Sequence, residues 1–344
     1  MSRHPDQLGF EWLDKSLDDA PIASKRVTKR PAPARAQPEL TPEQMAQLLD
    51  AHADYKVLRR LDPVTQFPPA PVGATLARVA ILDTETTGLS HDTDRVIELA
   101  VIVVDVDVAT GQPSGPVQVF DGLEDPGRPI SAEITQLTGI RNEDVRGRAL
   151  DELALAEIMS GVRWVVAHNA GFDRPFVEAR LPQLFAKLPW ACSFADLDWK
   201  ALGQGSAKLE ALAADAGLFY AAHRADIDCH ALLAVLTRKR ALDDQGTLLK
   251  TLWHASQATH YKLSAVGAPF ETKDTLKARG YRWDTQARVW STKLTTPEAL
   301  ASEREWLAHM VYANPKAPIR IETLSALDRY AKREGDVIME PLLG

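Results

Sequence analysis

Three apolar, β-rich runs follow one another between residues 77 and 123. This feature restricts the possible folds of the chain more than any other. The runs read ARVAILDTE, RVIELAVIVVDVD and GPVQVFDGL, which predicts three consecutive strands. Two helical patterns follow, SAEITQLTGI and DELALAEIMSG, and then a buried strand, WVVAHNA, leads at once into a helix, GFDRPFVEARL. This alternation up to about residue 240 predicts an α/β domain with a mixed central sheet flanked by helices.

The bulk composition is that of a soluble globular protein. Of the 344 residues, 45% are hydrophobic and 25% are charged, and the length predicts two or three units rather than one. The formal net charge of -7 argues against a protein that coats nucleic acid in bulk or binds membranes through a polybasic surface. A polyanionic partner would therefore be held by local basic patches.

Cysteine usage and hydropathy bear on the compartment. Cys192 and Cys229 are the two cysteines and neither belongs to a CxxC pair, so no disulfide framework or cysteine-ligated zinc site is expected. The start of the chain lacks the apolar core of a signal peptide, and no run approaches the roughly 20 apolar residues that span a bilayer. We therefore expect a soluble, cytoplasmic protein with no membrane partner.

Composition divides the chain into four parts. Residues 1–40 have few apolar groups and are predicted to form a flexible tail, whose SKRVTKR run fits a solvated linker better than a phosphate-binding segment. Residues 41–75 are predicted to hold a capped helix and a proline-rich linker. The α/β domain is placed at 76–242, and a C-terminal region follows at 243–344.

The C-terminal region contains a compact block at about 260–312 that predicts a small α+β module of a helix, a hairpin and a second helix. Its hairpin sequence, RGYRWDTQARVW, interleaves aromatic and basic residues. With a period of two, the aromatic side chains share one face and would form the core, which is the favoured interpretation. The alternative is a nucleic-acid contact through basic residues, namely Arg282, Arg288 and Lys293.

A pair of acids ends the first strand of the α/β domain. Asp83 and Glu85 are two positions apart, so both side chains leave the same face of the strand. Like charges at that separation repel, and a divalent cation would reverse the sign of the interaction. In isolation, however, a capping Asp83 beside a solvated Glu85 is the commoner explanation of such a pair.

Two further acids lie near helix starts. Asp173 could be a helix N-cap, although its spacing to Phe176 and Val177 directs it towards the packed side. Asp228 lies on the apolar stripe of the helix ADIDCHALLAVL, where an acid needs a partner. His223 cannot share that helical face, so it would lie on the preceding loop, where a mobile general base could stand.

Together these residues resemble the DEDDh 3′-5′ exonucleases, the family of the proofreading subunit of bacterial DNA polymerase III. The resemblance covers roughly residues 77–240 and rests on DTETTGL (83–89), HNAGFD (168–173) and HRADID (223–228), in the order and spacing of the family. SAEITQLTGI and KLEALAADAG also look like segments of that family. The resemblance implies a ribonuclease-H-like α/β exonuclease fold, to which the small α+β module is appended.

The resemblance also implies a two-metal mechanism. Asp83, Glu85 and Asp228 would hold one Mg²⁺ or Mn²⁺, and Asp83 would bridge to a second ion. Asp173 would help to place that second ion, directly or through water. His223 would take the proton from the attacking water.

Five neighbouring residues are implied to contact the substrate. Thr86, Gly88 and Leu89 correspond to positions that receive the terminal nucleotide, and Gly88 would let the backbone approach it closely. A plain turn and core role for Thr86 and Leu89 is equally open. His168 and Phe172 correspond to a substrate-facing histidine and aromatic, where stacking would tolerate any base.

The implied function is hydrolysis of phosphodiester bonds at nucleic-acid 3′ ends, with release of nucleoside 5′-monophosphates. DNA, single-stranded or frayed, is favoured over RNA as the partner. Two alternatives stay open, an RNA 3′-end exonuclease of the same family and a catalytically silent nucleic-acid-binding protein. Replication or repair proteins are the expected protein partners.

Overall fold

The computed structural model describes residues 40–238 and 246–343. The predicted flexible tail lies outside these ranges except for Leu40. Helix α1 spans Pro42–Asp50 and begins with a capping box, in which the Thr41 hydroxyl accepts from the Gln44 amide and the Gln44 side chain accepts from the Thr41 amide. Proline at the first position of this helix costs no hydrogen bond, because that amide has no helical partner.

A six-stranded mixed sheet forms the centre of the following domain. The strands of the domain are, in chain order, β1 (Arg59–Arg60), β2 (Gln66–Phe67), β3 (Leu76–Thr86), β4 (Val96–Asp107), β5 (Pro113–Leu123), β6 (Trp164–Ala167), β7 (Trp190–Cys192) and β8 (Leu218–Phe219). In space the sheet runs β2-β5-β4-β3-β6-β7. The first four of these pair antiparallel, whereas β6 and β7 add to β3 in parallel. Strands β1 and β8 form a separate parallel pair.

Helices cover both faces of this sheet. They are α2 (Ala132–Thr138), α3 (Asn142–Val145), α4 (Glu152–Ile158), α5 (Ala170–Arg180), α6 (Pro182–Phe185), α7 (Leu209–Asp215), α8 (Ala225–Leu236) and α9 (Leu248–Gln257). Alternation along β3 divides the core into two layers, because Ile81 packs with Leu232 of α8 while Leu82 packs with Phe176 of α5. The same alternation decides which way the acids at the end of β3 point.

The core of the domain continues past residue 242, where the sequence placed its boundary. Leu249 and Leu252 of α9 are fully buried in the same layer as α8. Trp253 of α9 meets Trp164 of β6 edge to face, with ring centroids 5.0 Å apart. Sequence composition could not place α9 with this domain, because its partners lie far away along the chain.

The C-terminal part forms a second, five-stranded antiparallel sheet. Its elements are β9 (His260–Ala265), α10 (Lys273–Ala278), β10 (Arg282–Asp284), β11 (Val289–Leu294), α11 (Pro297–Met310), β12 (Pro318–Leu324) and β13 (Asp336–Pro341), with a 3-10 turn at Phe270–Thr272. In space the sheet runs β10-β11-β9-β12-β13. The predicted helix, hairpin and helix are therefore only part of the module. Its sheet also contains β9, which the sequence did not predict as a strand, and β12 and β13, which lie beyond residue 312.

Aromatic and basic side chains of the β10-β11 hairpin lie on opposite faces. Tyr281 is fully buried and stacks on Trp306 of α11, with ring centroids 6.2 Å apart. Trp290 packs against the same core, whereas Trp283 is 47% exposed at the sheet edge. Arg282 pairs across the sheet with Ser291, on the face away from the helices.

None of the helices within the described ranges has the length and apolar character needed to cross a membrane.

Candidate active site

The bottom of the site is built where β3 ends. Asp83 and Glu85 follow Ile81 with a period of two, so their side chains point towards α8. Asp228 comes from the first turn of α8. One carboxylate oxygen from each of these three residues lies within 4.8 Å of the others.

Burial raises the pKa values of these three carboxyls, and repulsion by the neighbouring carboxylates adds to the effect at Asp83 and Glu85. Burial raises the pKa of Asp83 well above its usual range, and the nearby charges of Asp173, Asp228 and Glu85 raise it further. The pKa of Glu85 rises to about 8, mainly through burial and then through Asp228. Burial also raises the pKa of Asp228, although the Tyr220 hydroxyl and backbone amides oppose that shift.

The donor set therefore fits a divalent cation. Hard cations such as Mg²⁺ and Mn²⁺ take carboxylate oxygens, and a cation among three such groups removes the repulsion that otherwise keeps protons on them. We find a second compact group of carboxylates in the described chain, at Glu98, Asp121 and Asp226. There Glu98 already binds the Arg224 guanidinium at 2.7 Å, so its charge is satisfied within the protein.

Asp173 reaches the site from the opposite face of β3. Its Oδ1 accepts hydrogen bonds from the Thr84 amide at 3.1 Å and the Thr84 hydroxyl at 2.8 Å. Asp173 is 2% exposed, and burial raises its pKa to about 7. It is not the N-cap of α5, a position that Asn169 takes with a left-handed φ of 83°. Within the described residues, Asp173 lies outside the compact group of Asp83, Glu85 and Asp228.

His223 lies on the loop before α8, where helical geometry required it to be. Its backbone has a left-handed φ of 66°, uncommon for a residue with a side chain. The loop is fixed by its neighbour Arg224, whose guanidinium binds the buried Glu98 of β4, while the Ala225 amide donates to the same carboxylate at 2.9 Å. Glu98 stands opposite Glu85 in the β3-β4 register.

One pocket of about 640 Å³ is lined by all ten residues that the sequence assigned to catalysis and substrate contact in this domain. They are Asp83, Glu85, Thr86, Gly88, Leu89, His168, Phe172, Asp173, His223 and Asp228. Leu89 is 87% exposed at its rim, which excludes the core role that the sequence left open. Thr86 is buried and its hydroxyl donates to the Gly88 carbonyl at 2.6 Å, as in a turn.

Packing within the protein gives a reason for glycine at position 88, whereas the resemblance implied a close approach of the backbone to the substrate. A Cβ at Gly88 would lie 2.6 Å from the Asp94 carboxylate, closer than any normal contact. Asp94 holds the turn together, because it accepts hydrogen bonds from the Ser90 amide at 3.0 Å and from Arg128 at 2.6 Å. These contacts lower the pKa of Asp94, and the hydrogen bond from the Ser90 amide has the largest effect. The missing Cβ thus accommodates this side chain of the protein itself.

His168 is fixed at the pocket wall. Its Nε2 donates to the Ala207 carbonyl at 2.9 Å, so its Nδ1 accepts from the Ser193 hydroxyl at 2.7 Å. Burial lowers the pKa of His168 to about 4, which keeps the ring neutral. Phe172 packs on Phe176, with ring centroids 5.1 Å apart, and presents its remaining surface to the pocket.

Sequence reasoning missed several residues of the site. The Tyr220 hydroxyl donates to Asp228 Oδ1 at 3.0 Å, and no motif marks it. Leu137 and Phe194 add half-exposed apolar surface to the pocket wall. Arg282, Arg288 and Lys293 do not line this pocket, since all three belong to the C-terminal module.

The comparisons with known proteins agree with this geometry. A family model described as Exonuclease matches residues 80–236. The DNA polymerase III subunit epsilon of Treponema pallidum is 30% identical over 167 residues, which are 45% of this chain and 73% of that protein. The chain belongs to the exonuclease family. The predicted ribonuclease-H-like exonuclease fold and the resemblance to proofreading subunits are thereby confirmed.

Two further matches differ in how much of each protein they cover. The PolC-type DNA polymerase III of Latilactobacillus sakei is 41% identical over 106 residues, or 30% of this chain, which spans only 7% of that polymerase. A solved structure of exonuclease X in complex with 5′ overhanging duplex DNA is 25% identical, with a TM-score of 0.37, and covers 50% of this chain and 99% of its own.

Proposed function

We propose that this protein is a metal-dependent 3′-5′ exonuclease that releases nucleoside 5′-monophosphates from nucleic-acid ends. The observation that carries the proposal is the convergence of three buried carboxylates within 4.8 Å at the base of a pocket that also contains His223 and Asp173. The membership of the exonuclease family supports the same reaction.

The carboxylates have separate tasks in this proposal. Asp83, Glu85 and Asp228 would hold one Mg²⁺ or Mn²⁺, and Asp83 and Asp173 would hold a second. Two bound ions would supply positive charge that stabilises the attacking and leaving oxygens of an in-line displacement. Tyr220 donates to Asp228 Oδ1 and the Arg224 amide donates to Oδ2 at 3.1 Å, so both oxygens are held in a fixed direction and each keeps a further lone pair for the cation.

His223 would act as the general base. It takes a proton from the attacking water as the water oxygen bonds to phosphorus, and the bond from phosphorus to the 3′ oxygen of the preceding nucleotide breaks. The loop is held by Glu98 through Arg224 and Ala225, so the imidazole stays near the pocket without belonging to the rigid helix. His168 cannot share this role, because both of its nitrogens are engaged.

The pocket walls suit a frayed 3′ end. Leu89, Leu137 and Phe194 are largely exposed apolar side chains around it, and Phe172 lies beside them. The rings of Phe172 and Phe194 can stack on bases without regard to sequence, and the leucines add apolar contact. DNA is the proposed substrate rather than RNA, and the DNA polymerase names of the relatives support that choice.

The test is a degradation assay on three 5′-labelled substrates of one sequence, namely single-stranded DNA, duplex DNA with a 3′ end, and RNA. With Mg²⁺ or Mn²⁺ we expect a ladder shortened from the 3′ end of the single-stranded DNA. Asp83→Asn and His223→Ala should abolish the ladder without loss of fold by circular dichroism. Intact DNA with both metals would reject the proposal, and preferential loss of RNA would assign the alternative substrate.

A further inference from the structure

A second cleft, of about 720 Å³, lies between the C-terminal sheet and the segment of residues 328–334. Its floor is the face of that sheet turned away from α10 and α11. Across this face, Lys293 of β11 pairs with Lys262 of β9, and Lys262 pairs with Glu322 of β12. The opposite face of the same strands carries the apolar core, for example Leu263 and Ile321.

The charges of the cleft do not balance. Four acids line it, and each is paired with a cation, since Asp284 binds Lys262, Asp328 binds Arg333, and Glu322 and Glu334 both bind Arg320. Three lining cations form no ion pair in the part of the chain that the structure describes, namely Arg288, Lys293 and Lys332. All three are exposed. The cleft therefore has an excess of positive charge although the whole chain is acidic.

A buried hydroxyl adds a second observation. Ser264 lines the cleft, is 1% exposed, and its Oγ has no hydrogen-bond partner among the described residues. An unpaired buried hydroxyl destabilises the protein, so a ligand oxygen that accepts from it would remove that loss. Phosphate oxygens accept from both hydroxyl and cationic donors.

The cleft meets the candidate active site at the start of α5. Gly171 lines the cleft and lies next to Phe172, which lines the catalytic pocket. Tyr330, another lining residue, lies beside Gly171, where an added Cβ would be in ordinary van der Waals contact with its ring at 3.9 Å. The two pockets share no lining residue, so a strand with its 3′ end beside Phe172 would cross this turn of α5 to reach the cleft.

We propose that this cleft binds the phosphates of the substrate strand upstream of the nucleotides held in the catalytic pocket, an inference that rests on the proposed exonuclease function. Arg288, Lys293 and Lys332 contact the phosphates, and Ser264 donates its hydroxyl to one of them. Contacts of this kind depend on the charge of the phosphates and not on the base sequence of the strand.

The test measures binding in EDTA, so that no strand is cut. The cleft variant of the full chain is R288N/K293Q/K332Q, in which asparagine suits the left-handed φ of 52° at Arg288. The matched control is K187Q/K277Q/K316Q, which removes the same charge from three exposed lysines outside the cleft. The probe is a labelled single-stranded DNA of about 20 nucleotides, long enough for pocket and cleft together.

We expect the cleft variant to bind this strand at least about tenfold more weakly at about 0.1 M salt, and its salt slope to fall by about 2, since each phosphate contact contributes about 0.7. The control should match the wild type. A trinucleotide, which fills only the pocket, should bind all three proteins equally.

Equal losses in the cleft variant and the control would overturn the proposal, as would an equal loss for the trinucleotide. Complete displacement of the strand from the wild type by a nucleoside monophosphate, with no effect of strand length, would assign the cleft to a free nucleotide and also overturn it. Because the assay needs no hydrolysis, an inactive enzyme would reject the proposed function without deciding this one. S264A should weaken the long strand alone, in the same direction as the cleft variant.

Discussion

The Arg174 guanidinium donates a hydrogen bond to the main-chain carbonyl of Arg329 at 2.6 Å, across 155 residues of sequence. Arg174 is fully buried, and it also donates to the Leu327 carbonyl and the Glu178 carboxylate, each at 2.6 Å. Its neighbour in sequence is Asp173, which turns the other way to bind Thr84. The helix that positions an acid of the site is thus tied directly to the C-terminal region.

Replacement of Arg174 should therefore destabilise the protein strongly. R174M removes the donors and leaves the Arg329 carbonyl without this partner, whereas the Leu327 carbonyl and Glu178 keep the Arg333 guanidinium, so we expect a loss of about 1–3 kcal/mol in the free energy of unfolding. The measurement is urea unfolding followed by circular dichroism. R141Q, at an exposed arginine that also pairs with an acid, should unfold as the wild type does. An unchanged midpoint in R174M would contradict the anchoring role.

Stability of the metal-free protein should depend on Glu85. Its pKa is raised from 4.5 to about 8, so the folded state holds a proton that the unfolded state releases. The stabilisation is complete below pH 4.5 and is lost as the pH rises through 8. In EDTA, the Tm of E85Q should therefore fall less steeply than that of the wild type between these limits.

Added metal should have the opposite effect on the difference in Tm between the wild type and E85Q. At pH 8, Mg²⁺ or Mn²⁺ should raise the Tm of the wild type more than that of E85Q, because the cation replaces the proton and E85Q has lost one ligand. Differential scanning fluorimetry with and without metal measures both effects. If the Tm values of the two proteins in EDTA followed parallel pH profiles, the raised pKa of Glu85 in the folded state would be contradicted.

The hydroxyl of Tyr220 should affect metal binding, while its ring stays packed against the core. Y220F removes the hydrogen bond to Asp228 Oδ1 and keeps the ring, so we expect metal affinity to fall about 10-fold to 100-fold with little change in Tm. The measurement is the rate of strand degradation as a function of Mn²⁺ concentration, in which excess metal should restore most of the rate. Y312F, which loses a hydroxyl bonded to the Val266 carbonyl in the C-terminal module, is the control. A rate that no metal concentration restores would contradict the positioning role.

Gly88 offers a test of why the motif contains glycine. G88A should cost about 1–3 kcal/mol of stability, because its Cβ would press on the Asp94 carboxylate. In D94A that carboxylate is absent, so the added cost of G88A should nearly vanish. The four proteins of this cycle are compared by urea unfolding. A full cost of G88A in the D94A background would show that Asp94 is not what excludes the side chain.

The positions of the candidate catalytic residues on their strand, helix and loop could be predicted, because each depends on a local rule. A period of two places Asp83 and Glu85 on one face of β3, and a period of 3.6 separates His223 from the face of Asp228. Both rules need only residues a few positions apart. The three motifs, in their order and spacing, are those of the family.

Tertiary structure decided what depends on distant partners. Glu98 and Arg224 are 126 residues apart, and Arg174 and Arg329 are 155 apart, so no local pattern could pair them. The same holds for β9, whose neighbours β11 and β12 determine whether Lys262 and Ser264 face the helices or the cleft. The sequence by itself determined which residues are candidates for the chemistry, because local periodicity gives their faces and the three motifs match those of the family. The tertiary structure decided which contacts hold these residues and where a nucleic-acid strand would continue. The physical reason is that those contacts join segments far apart in sequence and form only in the folded chain.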